Sequence, residues 1–171
     1  MAALTILNKI MFKRDKIYDS ELLQSVIRKY CAYQERCHSE VRNRLISMGA
    51  SSNLIDDIIS NLIQENYLSE ERFSRAFVRG KFLIKGWGRI KIQKALILKK
   101  VSSNCLKIGL LEIDESEYRN KLRKLILKRF SSNKTFSDDV ASYRYLQMRG
   151  FEYDLIKELI HENVDKPSNR D

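Results

Sequence analysis

Three stretches of this chain carry one pattern at intervals of about fifty residues: Leu45–Ile59, Leu96–Leu110 and Leu146–Ile160. Aligned on Leu45, Leu96 and Leu146, their apolar positions coincide. Each runs from a helix end into Gly49, the pair Lys99-Lys100, or Gly150. An apolar residue follows (Ala50, Val101, Phe151), then Asn53, Asn104 or Asp154, and a second apolar helix begins. A helical unit this short buries its own apolar face poorly, so neighbouring copies must stack. The pattern predicts an all-α protein, an elongated tandem array of three-helix modules. Arrays of that kind serve as binding surfaces.

Composition supports long helices and a real core. Among 171 residues there are one proline and six glycines, and 43% are hydrophobic, which argues against disorder. Lys and Arg number 32 against 22 Asp and Glu, a net charge of +10 that suits a polyanionic partner or an acidic protein groove. Cys31, Cys37 and Cys105 make no Cys-x-x-Cys pair, and their odd number speaks against a disulfide framework. They are read as reduced thiols of a cytosolic protein. His38 beside Cys37 supplies only two of the four ligands a zinc site needs. The moderately apolar start, interrupted by Lys9, lacks a cleavage site, and no run reaches membrane-spanning length. No membrane role and a cytoplasmic location are expected.

Capping and periodicity divide the chain into an N-terminal segment (1–18), modules at 19–68, 69–113 and 114–161, and a fraying tail (162–171). In the first module Asp19 or Ser20 caps a helix carrying Leu22, Leu23, Val26, Ile27, Tyr30 and Cys31. Ser39 is the expected cap of the next, which Gly49 stops. The third carries the stripe Leu54, Ile55, Ile58, Ile59, Leu62 and Ile63. In the second module Ser69 precedes Glu70 and Glu71 at a helix start, and Phe73, Ala76 and Phe77 face the core. Gly80 marks close packing or a bend, and Gly86-Trp87-Gly88 is a turn. Leu110 and Leu111 belong to the helix that Cys105 begins. In the third module Asp114 and Glu117 have capping-box spacing. Ser131–Thr135 is a loop, Ser137-Asp138-Asp139 opens a helix, and one of Tyr143 and Tyr145 is core.

These residues resemble the RecX family, bacterial regulators of the RecA recombinase. Arg36-Cys37-His38-Ser39-Glu40-Val41-Arg42-Asn43-Arg44-Leu45 is similar to the family's first signature. Tyr67-Leu68-Ser69-Glu70-Glu71-Arg72-Phe73-Ser74 resembles its central Tyr-Leu-Asp-Asp-x-Arg-Phe-Ala run. Gly86-Trp87-Gly88-Arg89-Ile90 with Leu96 resembles Gly-x-x-Arg-Ile-x-x-x-Leu, and Leu146-Gln147-Met148-Arg149-Gly150-Phe151 resembles the C-terminal Leu-x-x-Arg-Gly-Phe. Departures are Ser69 and Glu70 where Asp-Asp is usual, Ser74 for Ala, Val41 for Leu, and Lys99-Lys100-Val101 where Lys-Gly-Ile is usual. The resemblance implies tandem three-helix units that bind the RecA filament in its groove. There they restrain ATP hydrolysis, strand exchange and repressor cleavage. It also implies binding to single- or double-stranded DNA.

No Asp or Glu occurs between Arg72 and Leu111. The candidate binding face comprises Arg72, Arg75, Arg79, Lys81, Lys85, Arg89, Lys91, Lys94, Lys99 and Lys100, with Arg144 and Arg149 on a later helix. Arg72, Arg75 and Arg79 share one helix face by spacing. The competing possibility is a solvated face balanced by flanking acids such as Glu70, Glu71 and Glu112. Trp87 is either a stacking residue at a turn or, more in keeping with large aromatics, a packing anchor.

No catalytic set emerges. His38 and His161 lack nucleophile partners, Gly86-Trp87-Gly88 lacks the residues of a phosphate loop, and Asp56-Asp57 point about 100° apart on a helix. A non-enzyme without cofactors, acting as a monomer, is expected. Its alternatives are a stand-alone DNA-binding module and a purely structural helical adaptor.

Overall fold

The computed structural model describes residues 20–130 and 140–164. The expectations for Asp19, for the loop and helix start within residues 131–139, and for both terminal ends beyond residues 20 and 164 lie outside the described residues. Those described form nine α-helices and no strand. They are α1 (Ser20–Tyr33), α2 (His38–Ser47), α3 (Ser52–Gln64), α4 (Glu70–Arg79), α5 (Arg89–Leu98), α6 (Ser103–Leu110), α7 (Glu115–Phe130), α8 (Val140–Met148) and α9 (Tyr153–Val164). A π-helical turn, Gly80–Ile84, extends α4. The chain forms two compact units, Met1–Ser69 and Glu70–Asp171. The all-α fold expected from periodicity is present.

The repeat is a turn of one geometry used three times. Leu45, Leu96 and Leu146 are fully buried. Four residues on, Gly49, Lys100 and Gly150 have φ of 85°, 57° and 90°. The following amides close back on the buried leucines: Ala50 N–H to Leu45 O at 3.1 Å, Val101 N–H to Leu96 O at 3.2 Å and Phe151 N–H to Leu146 O at 3.3 Å. The left-handed residues donate to Ile46, Ile97 and Gln147. This is the Schellman termination, which satisfies the last carbonyls of a helix and sets the next one running. Lys100 therefore adopts the conformation that glycine takes in the other two copies. Ser51, Ser102 and Glu152 then open α3, α6 and α9 by accepting from Ile55, Leu106 and Ile156.

In the first unit, Leu23, Ile27 and Cys31 of α1 meet Val41 and Leu45 of α2, and Ile55, Ile58, Ile59 and Leu62 of α3. Leu22 points outward, because the buried stripe of α1 runs through positions 23, 27 and 31. Cys37, not Ser39, is the N-cap of α2. Its amide donates to Glu40 Oε2 at 3.3 Å, so the cap lies two residues earlier than expected. Burial pushes the Cys31 thiol up to about 11, keeping it protonated and inert. Arg28 forks onto Glu65 at 2.7 and 2.6 Å, tying α1 to the end of α3.

In the second unit, Phe73, Val78, Phe82, Ile92, Leu96, Leu106 and Ile113 are buried, as are Tyr118, Leu122, Ile126, Leu146, Phe151 and Ile156; the Tyr118 ring lies 5.8 Å from that of Phe82 and 5.2 Å from that of Phe151. Helices α4 and α6 approach so closely at Ser74 and Gly109 that a Cβ on Gly109 would overlap the Ser74 side chain. Gly80 has open space around its Cβ position, so it serves the bend rather than close packing. Leu111 lies beyond α6 and is exposed. Neither Tyr143 nor Tyr145 is core: both are half-buried, and Ser142 and Leu146 take the inward positions of α8. Asp114 accepts from the Ser116 hydroxyl at 2.5 Å and the Glu117 amide at 2.9 Å at the start of α7.

Candidate functional site

Three aromatic residues and three lysines of the second unit alternate in a row. Phe73 and Phe77 are one helical turn apart on α4, with ring centroids 5.6 Å apart. Lys81, one turn further, falls where α4 widens into the π turn. There Lys85 N–H reaches Gly80 O at 3.3 Å and Trp87 N–H reaches Lys81 O at 3.0 Å, and Gly86 supplies a φ of 63°. This wide turn folds Trp87 back beside Lys81. The Lys81 ammonium lies 5.0 Å from the Phe77 ring centre and 4.9 Å from that of Trp87. Lys91 takes the same indole at 4.8 Å, and Lys99 lies 5.9 and 5.8 Å from Phe73 and Phe77. Each such contact is worth about 0.5–1 kcal/mol at an exposed site. Their larger effect is to fix long, flexible side chains in a row. Trp87 is half-buried, with two cations over its indole, so it orders the lysines.

The arginines do different work. Arg75 bonds Glu112 at 2.5 Å and Glu71 at 3.0 Å, and Arg79 reaches Glu112 at 2.7 Å. Glu112 follows α6, so the pair clamps the end of that helix onto α4. The Arg75 guanidinium, and after it that of Arg79, holds the Glu112 carboxyl below the usual carboxylate range. Arg89 pairs with Glu115 at 2.6 Å and lies 4.0 Å over the Tyr118 ring. The acid-free run is thus partly neutralised by acids that flank it in sequence and return to it in the fold.

Arg149 fastens a joint. Its Nη1 donates to the carbonyls of Lys85 and Gly86 at 3.1 and 3.5 Å. In return, Gly88 N–H donates to Arg149 O at 2.8 Å and Ile90 N–H to Gly150 O at 3.0 Å. Lys91 Nζ donates to Met148 O at 3.1 Å. Between those amides, Arg89 N–H donates to the Tyr118 hydroxyl at 3.0 Å, which donates to Glu152 at 2.6 Å. The N-terminus of α5 therefore has these amides committed to the α8–α9 turn and to Tyr118. It is not a vacant anion cradle. A Cβ on Gly88 would overlap the Gly150 carbonyl, so the two backbones touch.

Lys85, Lys94, Lys100 and Arg144 are exposed, without an ion pair among the described residues. Arg72 is half-buried and partnered. The structure brings Lys81, Lys91 and Lys99 together through aromatic rings and diverts Arg75, Arg79, Arg89 and Arg149 to internal bonds. Sequence reasoning missed Tyr118, Glu115 and Glu152. Their signal was faint: Tyr118 reads as one more apolar helix position. Among the described residues no group of three or more His, Cys, Asp or Glu is placed to hold a metal ion, and no helix is long and apolar enough to cross a membrane.

A family model described as RecX, second three-helix domain, matches residues 69–109, the stretch that holds the lysine row. Over that stretch the chain is similar to the RecX family. It is 30% identical over 135 residues to the regulatory protein RecX of Clostridium botulinum strain Alaska E43, covering 76% of this chain and 63% of that protein. It is 28% identical over 156 residues to regulatory protein RecX of Lactobacillus johnsonii, covering 90% of this chain and 57% of that one. The crystal structure of RecX from Lactobacillus salivarius superposes with a TM-score of 0.74 at 23% identity, over 84% of this chain and 95% of that one, and shows the same fold. The match with the Clostridium botulinum Eklund 17B and Streptococcus equi subsp. zooepidemicus relatives spans 63% and 52% of their lengths.

Proposed function

We propose that this chain is a RecX-type protein, a cytoplasmic, monomeric regulator that binds the RecA–DNA filament. It restrains ATP hydrolysis, strand exchange and coprotease activity during DNA repair and the SOS response. It acts by binding rather than by catalysis. The observation that carries the reading is the position of the lysine row: Lys81, Lys91 and Lys99 are ordered on aromatic rings within residues 69–109, the region that matches the family's second three-helix domain. Tandem modules bounded near 19–68, 69–113 and 114–161 would let weak contacts to successive filament subunits add. A ligand that prefers one arrangement of those subunits opposes the rearrangement that turnover requires.

The assay is purified protein added to RecA, single-stranded DNA and ATP. Hydrolysis and strand exchange should fall with added protein, and unchanged rates at saturation reject the reading. The informative variant is Lys85→Glu with Lys94→Glu, exposed positions outside the clamps. Reversal at Arg75 or Arg79 would instead release Glu112 and disturb the fold.

A second reading, DNA binding without the recombinase, is favoured by the exposed Lys85, Lys94 and Lys100. Contact with roughly five phosphates would make log affinity fall against log salt with a slope of about −4 to −5. A much weaker slope, with filament binding intact, would decide against it.

A further inference from the structure

A cavity of about 370 Å³ opens on the second unit between the π turn and α7. Phe82 and Leu83 form its apolar side, and Glu117, Asn120, Lys121 and Lys124 line the α7 side. We propose that this groove is a docking site for a short acidic peptide bearing one bulky apolar side chain.

Size and chemistry select that occupant. The volume lies near the lower end of the roughly 300–1,000 Å³ typical of ligand pockets, enough for a large side chain and its neighbours. Phe82 is buried and gives a fixed floor, while Leu83 is 54% exposed, an apolar side chain with unspent surface. Lys121 lies 5.0 Å from the Phe82 ring centre and donates to Leu83 O at 2.7 Å. One carbonyl uses one of the three ammonium donors and leaves the others for a ligand. Burial holds the Lys121 ammonium below its usual range, so a carboxylate arriving there meets a desolvated cation. Lys124 is exposed, with no ion pair among the described residues. Two lysines against the single Glu117 leave the lining positive. None of its lining residues belongs to the Lys81–Trp87–Lys91 row, and the proposal stands whether or not the filament reading holds.

The test is fluorescence anisotropy with a labelled peptide of Asp and Glu around one central Phe. Saturable binding is expected, weakened more than about tenfold when the peptide's Phe is replaced by Ala. In the protein, Lys124→Glu should weaken it about threefold or more at low salt. Circular dichroism should be unchanged, since Lys124 is exposed. Amide chemical shifts should move at Leu83, Asn120 and Lys124. Equal affinity for the Phe and Ala peptides would overturn the proposal, as would shifts centred on Trp87. Concentration-dependent dimerisation abolished by Leu83→Asp would assign the groove to a second copy and overturn it too.

Discussion

Ser74 is fully buried, and its hydroxyl has no hydrogen-bond partner among the described residues. A buried, unsatisfied hydroxyl costs about 1–3 kcal/mol, so Ser74→Ala should raise stability by about 1 kcal/mol in urea denaturation. The family signature, with alanine at this position, fits that arithmetic. Tyr118 is the opposite case: its hydroxyl accepts from Arg89 N–H and donates to Glu152, and both burial and that carboxylate hold the phenol above its usual range. Tyr118→Phe strands an amide and a carboxylate, and we expect a loss of about 2–3 kcal/mol by the same measurement. Lys100 sits at φ 57°, where a side chain costs about 1 kcal/mol or more. Lys100→Gly should be neutral to stabilising by up to about 1 kcal/mol, the greater freedom of glycine in the unfolded chain offsetting part of the gain. The sequence reads as lacking a glycine stop here, yet Lys100, four positions after Leu96 as Gly49 is after Leu45, takes the glycine conformation itself.

Helices and their ends were legible wherever local chemistry decides them. The α3 stripe, the Gly49 and Gly150 stops and the Asp114 start all follow from spacing and capping. The candidate face was less legible, because charge pairing is settled by distant residues. Arg75 and Arg79 find Glu112 at separations of 37 and 33 residues; Glu112 stands among the flanking acids of the sequence, but spacing alone does not decide between pairing and an open face. That clamp has a pH signature. The folded-state pKa of Glu112 lies below the ordinary 4.5, so its contribution is fully present above that value. It fades as pH falls past 4.5 and through the lower folded-state value. Acid titration of ellipticity should show a loss on the acid side of 4.5, and Glu112→Gln should flatten that limb while lowering stability at neutral pH.

Across the whole molecule, both units carry their own buried residues, from Leu23 to Leu68 in one and from Phe73 to Ile160 in the other. A fragment spanning Glu70–Asp171 should keep helical ellipticity and a cooperative thermal melt; a featureless, gradual loss of signal would count against a self-sufficient core. Within that unit the backbone contact of Gly88 with Gly150 makes Gly88→Ala a severe change. We expect it to cost about 3 kcal/mol or more, since rigid backbone must yield. The same contact governs how the chain tolerates shortening. The α8–α9 turn completes the first turn of α5 with its own carbonyls. A premature stop codon anywhere before residue 149 would therefore leave the middle of the protein with orphaned amides, and cellular proteases would meet a damaged domain instead of a trimmed one.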